Sequence, residues 1–356
     1  MGISKLKFHN FRNFKEKLIP FSEQVVNIII GPNASGKSNI LEGLFLLSTG
    51  KSFKAGVEEE IVKYDEEIAR VQGLVGDTKL EVVLTRGLIT VGQYPTKTEK
   101  VARKRLLVNK IPRRLVDFSG NFKTVLFGPW DLDLVTSSPS LRRRALDMIL
   151  SQIDREYRRA ILSYEKGLRQ RNRLLFRIRE EGLPRSHLLF WNNLLIKNGD
   201  YISKKREEFM NFANSLPSVN EQIFTLEYDK SAISEGRLEQ YKEEEVFAAT
   251  TLVGPHRDDM IFKIGQLGKN RNLDRFGSRG EQRMGVLWFK LAELAYIEQQ
   301  TEGRPTLLLD DIFSELDREH RKIVMNIIGK QQTIITTADP HFIADLKTVE
   351  KISLKD

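Results

Sequence analysis

Residues 31–38 read Gly31-Pro32-Asn33-Ala34-Ser35-Gly36-Lys37-Ser38, which satisfies G-x-x-x-x-G-K-[ST] at every position. The apolar run VVNIII stands directly before it, and the helically spaced KSNILEGLFLLSTG follows, ending at Gly50. Strand, glycine-rich turn and helix in this order constrain the chain to an α/β fold. The spacing has a chemical reason. The glycines let backbone N–H groups wrap a β-phosphate, Lys37 reaches the β- and γ-phosphates, and Ser38 offers its hydroxyl to Mg²⁺. All eight residues are therefore candidate nucleotide contacts.

A second motif lies far along the chain. TLLLDDIFSELD, 306–317, reads as a buried strand from Thr306 to Leu309 that ends in two carboxylates. Asp310 is placed to hold Mg²⁺ through water. Asp311, one residue on, points to the other side of the strand and is placed to orient or deprotonate an attacking water. Alone, the pair could be solvated acids at a strand end. Beside a complete P-loop it implies ATP and Mg²⁺ as cofactors, with Lys37, Asp310 and Asp311 as the catalytic set.

A third stretch, FGSRGEQRMGVLWFKLAELAYIEQQ at 276–300, places Ser-x-Gly-x-Gln before a helical pattern. Ser278, Gly280 and Gln282 would present a hydroxyl and backbone N–H groups to a second anion. The plain alternative is an ordinary serine N-cap.

Between these motifs the texture changes. Several short β-like runs fill 61–125, with hairpin turns expected at Arg86-Gly87 and Asn109-Lys110. Apolar residues at Leu141, Ala145, Ile149, Ile153, Tyr157, Ile161, Tyr164 and Leu168 predict one long amphipathic helix, broken at Gly182 and Pro184. A second helix is expected over 187–216. Strand-and-helix texture returns from 252. The organisation expected is 1–135 with the P-loop and an antiparallel β subdomain, an inserted helical arm over 136–250, and 251–356 with the remaining motifs.

The 356 residues carry 57 Lys and Arg against 48 Asp and Glu, a formal charge of +9, which favours a polyanionic partner. Candidate phosphate contacts are Arg103, Lys104 and Arg105 in a basic hairpin, RKRLLVNKIPRR, and Arg142, Arg143 and Arg144 where the helical part begins. The contacts expected are sequence-independent and salt-sensitive; a solvated helix face is the alternative for any single arginine. There is no cysteine, which excludes disulfides and thiol catalysis. No apolar run reaches 18 residues and the first twenty lack an apolar signal core, so a cytoplasmic protein with no membrane association is expected.

The order P-loop, Ser278-Arg279-Gly280-Glu281-Gln282, LLLDD, SELD resembles that of an ABC-type ATPase head, with a signature motif, a Walker B strand and a D-loop. FHNFRNF at 8–14, GPNASGKSN at 31–39, SPSLRRRALD at 138–147, GPHRDD at 254–259 and SRGEQR at 278–283 together resemble the RecF family of bacterial recombination mediators, over nearly the whole chain. The resemblance implies that Ser278, Gly280 and Gln282 cap an ATP held by a second copy, giving an ATP-dependent head-to-tail homodimer. It further implies a weak, DNA-stimulated ATPase that binds double-stranded DNA and single-strand–duplex junctions. With RecO and RecR it would help load RecA in gap repair. It also suggests that Arg12, in FRNF, reaches a phosphate; a solvent-facing edge-strand arginine is the alternative. Rivals are a structural-maintenance or Rad50-type clamp, whose arms would be far longer, and an ATP-binding scaffold without turnover.

The sequence departs from the patterns it resembles. The water-activating position holds Asp311 where transporters have Glu. The switch position falls on Thr336 or Thr337, with His341 a few residues on. Asp131 is the candidate γ-phosphate sensor in LFGPWDLDLV. Arg279 and Glu281 stand where glutamines are commoner in the signature. His256, Asp258 and Asp259 of GPHRDD read as a polar turn rather than a metal site, having no second histidine in pattern.

Overall fold

The computed structural model describes residues 2–23, 26–92, 97–266, 269–339, 341, 346 and 348–354. The chain divides into two units, residues 1–131 with 297–356, and residues 132–296. The C-terminal boundary therefore lies at 296/297. Residues 251–296, grouped by sequence with the C-terminal motifs, belong to the second unit.

The first unit contains a five-stranded parallel sheet in the order Thr124–Phe127, Thr306–Asp310, Thr333–Thr337, Val26–Ile30, Val349–Ser353. Its interior strands are almost wholly buried, as expected of a sheet covered on both faces. The helix Lys37–Thr49 is apolar nearly all round, with Ile40, Leu41, Leu44, Leu46 and Leu47 fully buried. It ends where Gly50 takes φ +70° and returns its N–H to Leu46 O. A six-stranded antiparallel sheet, ordered Phe14–Pro20, Ile3–Phe11, Ile68–Val75, Thr78–Thr85, Lys104–Val108, Ile111–Arg113, packs against the same helix. The contact is close: a Cβ on Gly43 would come within 2.3 Å of the Phe8 ring.

Asn109 and Lys110 both have positive φ, as a type I′ hairpin turn requires. Arg86-Gly87 is not a hairpin turn. Thr78–Thr85 pairs with Ile68–Val75 and Lys104–Val108, while Leu88–Val91 pairs with Lys97–Lys100.

The second unit is mainly helical. The expected long helix is two, Pro139–Ile153 and Arg155–Glu181. The break is Asp154, whose extended backbone and carboxylate cap the second helix by accepting from Glu156 N and Tyr157 N. An aspartate that can satisfy orphan N–H groups competes with helix continuation, and the apolar period runs on across it. Arg155–Glu181 packs along Leu189–Asn214, and a three-stranded antiparallel sheet, Ile223–Asp229, Asp259–Gln266, Lys269–Asn272, completes the unit.

Candidate nucleotide-binding site

Every strand of the parallel sheet points the same way, so the loops after Ile30, Asp310 and Thr337 emerge at one edge. Ligands of open parallel sheets bind there. In the P-loop, Gly36 has φ +99°, and a Cβ there would come within 2.6 Å of Phe14. Ala34, with φ +67°, adopts the left-handed conformation without glycine's freedom. Lys37 is buried, and its Nζ donates to Gly31 O at 2.8 Å and Pro32 O at 2.9 Å, lying against the start of the loop. Ser35 Oγ is buried without a hydrogen bond, and a Cβ on Gly31 would crowd it at 2.6 Å. A bare, curled backbone with a lysine beside it and an orphaned hydroxyl fits a bound phosphate.

Parallel pairing sets Asp310 opposite Thr336. Asp310 Oδ1 accepts from Ser38 Oγ at 2.9 Å and from Thr336 Oγ1 at 2.6 Å. Three motifs far apart in sequence thus converge on one carboxylate oxygen, with Asp310 only 3% exposed. A hydroxyl and a carboxylate oxygen side by side are the hard donor set that suits Mg²⁺.

Asp311 has φ +46°, a left-handed backbone for a non-glycine residue. Thr336 fixes it there: Asp311 N donates to Thr336 O and Thr336 Oγ1, each at 3.1 Å. Such strain persists only where surroundings impose it, and it is common at functional sites. Burial raises the Asp311 pKa above the ordinary carboxylate value, Lys37 opposes this, and Asp310 adds to it. A partly buried carboxylate with a raised pKa suits a general base.

Arg12 is neither free nor solvent-facing. Its Nε and Nη2 form a bidentate pair with Glu42 at 2.8 and 2.7 Å, and Nη1 donates to Glu60 O at 2.9 Å. Glu42 is fully buried and also accepts from Ser52 Oγ at 2.5 Å. The arginine thus serves a buried anion on the helix that follows the P-loop. Asn13, beside it, was missed; its Nδ2 donates to Ser35 O at 3.2 Å inside the P-loop, and its Oδ1 accepts from Asn39 Nδ2 at 2.9 Å. The asparagine in FRNF was the available signal. Asp131 accepts from Gly128 N at 2.9 Å and closes its own turn. Thr337 Oγ1 donates to Asp339 O, and His341 N to Asp339 Oδ1, so Thr336 alone of the three meets Asp310. Asp317 of SELD caps the helix Arg318–Ile327 and accepts from Glu319 N, His320 N and His320 Nδ1.

In the second unit, Ser278, Arg279 and Gly280 are exposed at the start of the helix Arg279–Thr301. Ser278 Oγ accepts from Glu281 N at 3.3 Å, while the Glu281 carboxylate accepts from Ser278 N at 2.7 Å: a capping box. Glu281 also pairs with Arg271, and the Ser278 N–H is the main cause of its lowered pKa. Gln282 is turned away, its Nε2 donating to Leu273 O, Asp274 O and Gly277 O at 3.2–3.3 Å. It braces the turn rather than facing outward.

The basic residues separate sharply. Arg142 is not a surface cation: it is 8% exposed, chelates Asp259 at 2.7 and 2.8 Å, and donates to Val135 O and Ser137 O. Arg143 donates to Asp258 O, and burial lowers its pKa. Arg144 is exposed. Lys104 pairs with Glu58 and donates to Gly50 O; Arg103 pairs with Glu59 at 2.8 Å while largely exposed; Arg105 is exposed. Arg171 is buried, paired with Glu245 at 2.6 Å.

GPHRDD is the polar centre of the second unit. Asp258 accepts from Arg206 Nη1 at 3.0 Å, Ser231 N at 2.8 Å and Tyr228 Oη; Arg206 also reaches Asp147 at 2.8 Å and Pro255 O at 2.7 Å. His256 has both nitrogens engaged, with Tyr164 Oη at 2.8 Å and Thr251 O at 3.0 Å, and burial pushes its pKa down to about 4. Gly254, at φ +125°, brings the turn so close that a Cβ would meet Tyr164 Oη at 2.2 Å. Among the described residues no group of three or more acidic or histidine side chains could hold a metal.

The RecF/RecN/SMC N terminal domain family matches residues 2–356. The chain is 35% identical to the DNA replication and repair protein RecF of Herpetosiphon aurantiacus, covering 97% of each. It is 33% identical to the same-named protein of Ligilactobacillus salivarius, covering 95% of this chain and 91% of that one. The structure of the recombination mediator protein RecF with ATP, described within the RecFOR pathway, superposes with a TM-score of 0.83 at 32% identity, covering 99% of this chain and 95% of the other. The Smc head domain of Pyrococcus furiosus shares the fold at 17% identity and a TM-score of 0.51. With its α/β head built on a P-loop, the chain belongs to the RecF family of ABC-type ATPase heads.

Proposed function

We propose that this protein is an ATP-switched, DNA-binding recombination mediator, whose slow ATPase cycle joins and separates two copies. One observation carries the ATPase reading: Ser38, Asp310 and Thr336 converge on a single oxygen beside the left-handed, partly buried Asp311. Gly31 to Ser38 bind the phosphates, with Lys37 moving from the loop carbonyls to the β- and γ-phosphates. Ser38 and Asp310 would hold Mg²⁺, which neutralises charge building on the phosphates. Asp311 orients the attacking water and takes its proton. Arg12 acts at one remove, through Glu42 on the helix that follows the P-loop.

Ser278 and Gly280 complete the site of a second copy, because an exposed helix start with a serine hydroxyl can accept an oxyanion brought to it. The ATP-bound dimer holds duplex DNA, including duplex beside a single-stranded gap, and hydrolysis releases it. The RecFOR pathway named for the RecF relative supports RecO and RecR as partners, and RecA loading is the outcome that the family resemblance implies. Among the described residues no helix is long and apolar enough to cross a membrane.

Sedimentation tests this reading, with and without ATP·Mg²⁺ and a short duplex, for wild type and Ser278→Arg. ATP should double the mass, the doubled species should bind duplex, and the substitution should abolish doubling while ATP binding persists. Unchanged mass with ATP, or normal doubling by Ser278→Arg, would overturn the shared-site dimer in favour of a scaffold.

A further inference from the structure

The outer face of the six-stranded antiparallel sheet carries a groove of about 670 Å³, lined by Lys5, Lys7, Lys17 and Lys79 over a floor that includes Leu18 and Leu74. Strand register places Lys5, Lys7 and Lys79 on this face, whereas Lys17 lies opposite Phe8 and belongs to the groove only by lining it. Residues directly opposite in a sheet share a face. Lys5 lies opposite Leu74, and Leu74 opposite Lys79; Lys7 lies opposite Leu18 and Gln72. Lys5 and Lys7 are two residues apart on one strand, about 7 Å, and Lys79 stands two strands over, about 10 Å. None of the four lysines forms an ion pair among the described residues.

Two acids share this face. Glu81 pairs with Arg70 at 3.2 Å, while Glu16, which also lines the groove, lies 3.5 Å from His9, a partner that is charged only when protonated. A second hollow of about 220 Å³, lined in part by Lys7, His9, Arg70 and Gln72, continues the track. Arg105, paired with Val83 two positions along from Glu81, falls on the same face. The cations therefore form an elongated row. Ammonium groups this close repel one another unless an anion lies among them.

We propose that this groove seats the phosphate backbone of double-stranded DNA, an assignment that rests on the DNA-binding reading above and gives it a surface. The donor set argues for a phosphodiester chain. Lysines are point charges on flexible stems, which can follow successive phosphates without the fixed bidentate geometry of arginine. An open track several rungs long suits a polymer rather than a mononucleotide. Lysine ammonium groups contact phosphates without reading bases, so binding is sequence-independent. The surface differs from the Arg142 and Arg143 site suggested by sequence, where the guanidinium groups are engaged inside the second unit.

Fluorescence anisotropy of a labelled duplex, titrated with ATP-bound protein over a range of NaCl, tests this. The variant is K5E/K7E/K79E, with K97E/K100E/K351E as a control of equal charge change on other exposed lysines. Each lost phosphate contact lowers the slope of log K against log salt by about 0.9, so the groove variant should lose about 2 to 3 units. The control should keep nearly the wild-type slope. Melting curves establish that both fold, and Lys→Gln replacements repeat the comparison without reversed charge. An unchanged slope in the groove variant, with wild type binding duplex, overturns the groove and leaves DNA binding standing. Absence of duplex binding by wild type overturns both. Binding of polyglutamate that is lost in the variant, while the DNA slope is kept, would reassign the groove to an acidic protein.

Discussion

The P-loop and the signature turn are both helix starts suited to phosphate, yet they are built in opposite ways. The P-loop is enclosed by its own unit: Lys37 and Asp310 are buried, and every polar group around Asp310 is tied to another strand or helix. The signature turn is exposed, and the Ser278 N–H is occupied by its own Glu281. A site that holds a ligand alone must be preorganised by its own fold. A site that meets a ligand carried by another molecule has to remain on the surface. What fills the signature turn in a single copy is a capping box worth about 1 kcal/mol, which on the proposed reading a second copy's phosphate would meet.

The largest effect that would break this contrast lies at Asp311. If the enclosed half does the chemistry, Asp311→Asn should lower turnover by about 10²–10⁴-fold, with ATP affinity changed little. Single-turnover hydrolysis beside equilibrium nucleotide binding separates the two; near-normal turnover would remove Asp311 from the water. The pH dependence has a definite sign. A carboxylate whose pKa is raised by burial is active when ionised, so activity is present above that pKa and lost as pH falls through it. The acid limb of kcat/KM should therefore lie above the ordinary aspartate range.

The unit that carries the signature turn also has a buried polar centre, and His256 offers a measurement of it. Its pKa falls from 6.5 unfolded to about 4 folded because it is buried neutral between Tyr164 and Thr251. Between those values the unfolded chain binds the extra proton. Stability from this group is thus full above pH 6.5 and is lost as pH falls toward 4, on the order of 3 kcal/mol in all. Urea unfolding across this range should show the loss in wild type and a flatter profile in His256→Gln. Parallel profiles would mean the imidazole is not buried neutral.

The same contrast explains what sequence disclosed. The P-loop, the strand Thr306–Asp310 and the helix after Lys37 were legible because local spacing specifies them. Thr336 was legible only as one of two candidates, since its role depends on strand pairing that puts it across from Asp310. Arg12 and Arg142 read as available cations because their partners, Glu42 and Asp259, are 30 and 117 positions away. Asp154 escaped notice because the apolar period continues through it while its carboxylate stops the helix. Charge in a sequence does not say whether its partner is solvent, a ligand or a distant acid.

The smallest effect is the one most particular to this chain. Glu281 places a carboxylate on the Ser278 N–H, at the turn that a phosphate from a second copy would approach on the proposed reading, and Arg271 pairs with it. Its capping bonds stabilise the helix start, but its charge opposes an incoming anion. Glu281→Gln keeps the side-chain shape and an acceptor for Ser278 N while removing that charge. The exposed pair with Arg271 is worth at most about 1 kcal/mol, so folding should change little. ATP-driven doubling should then occur at about two- to fivefold lower ATP, with the gap between variant and wild type narrowing as salt screens the repulsion. Sedimentation at two NaCl concentrations reads both. If Glu281→Gln dimerises no better than wild type, or needs more ATP, the carboxylate is part of the seat rather than an obstacle to it, and the two halves of the site are more alike than their burial suggests.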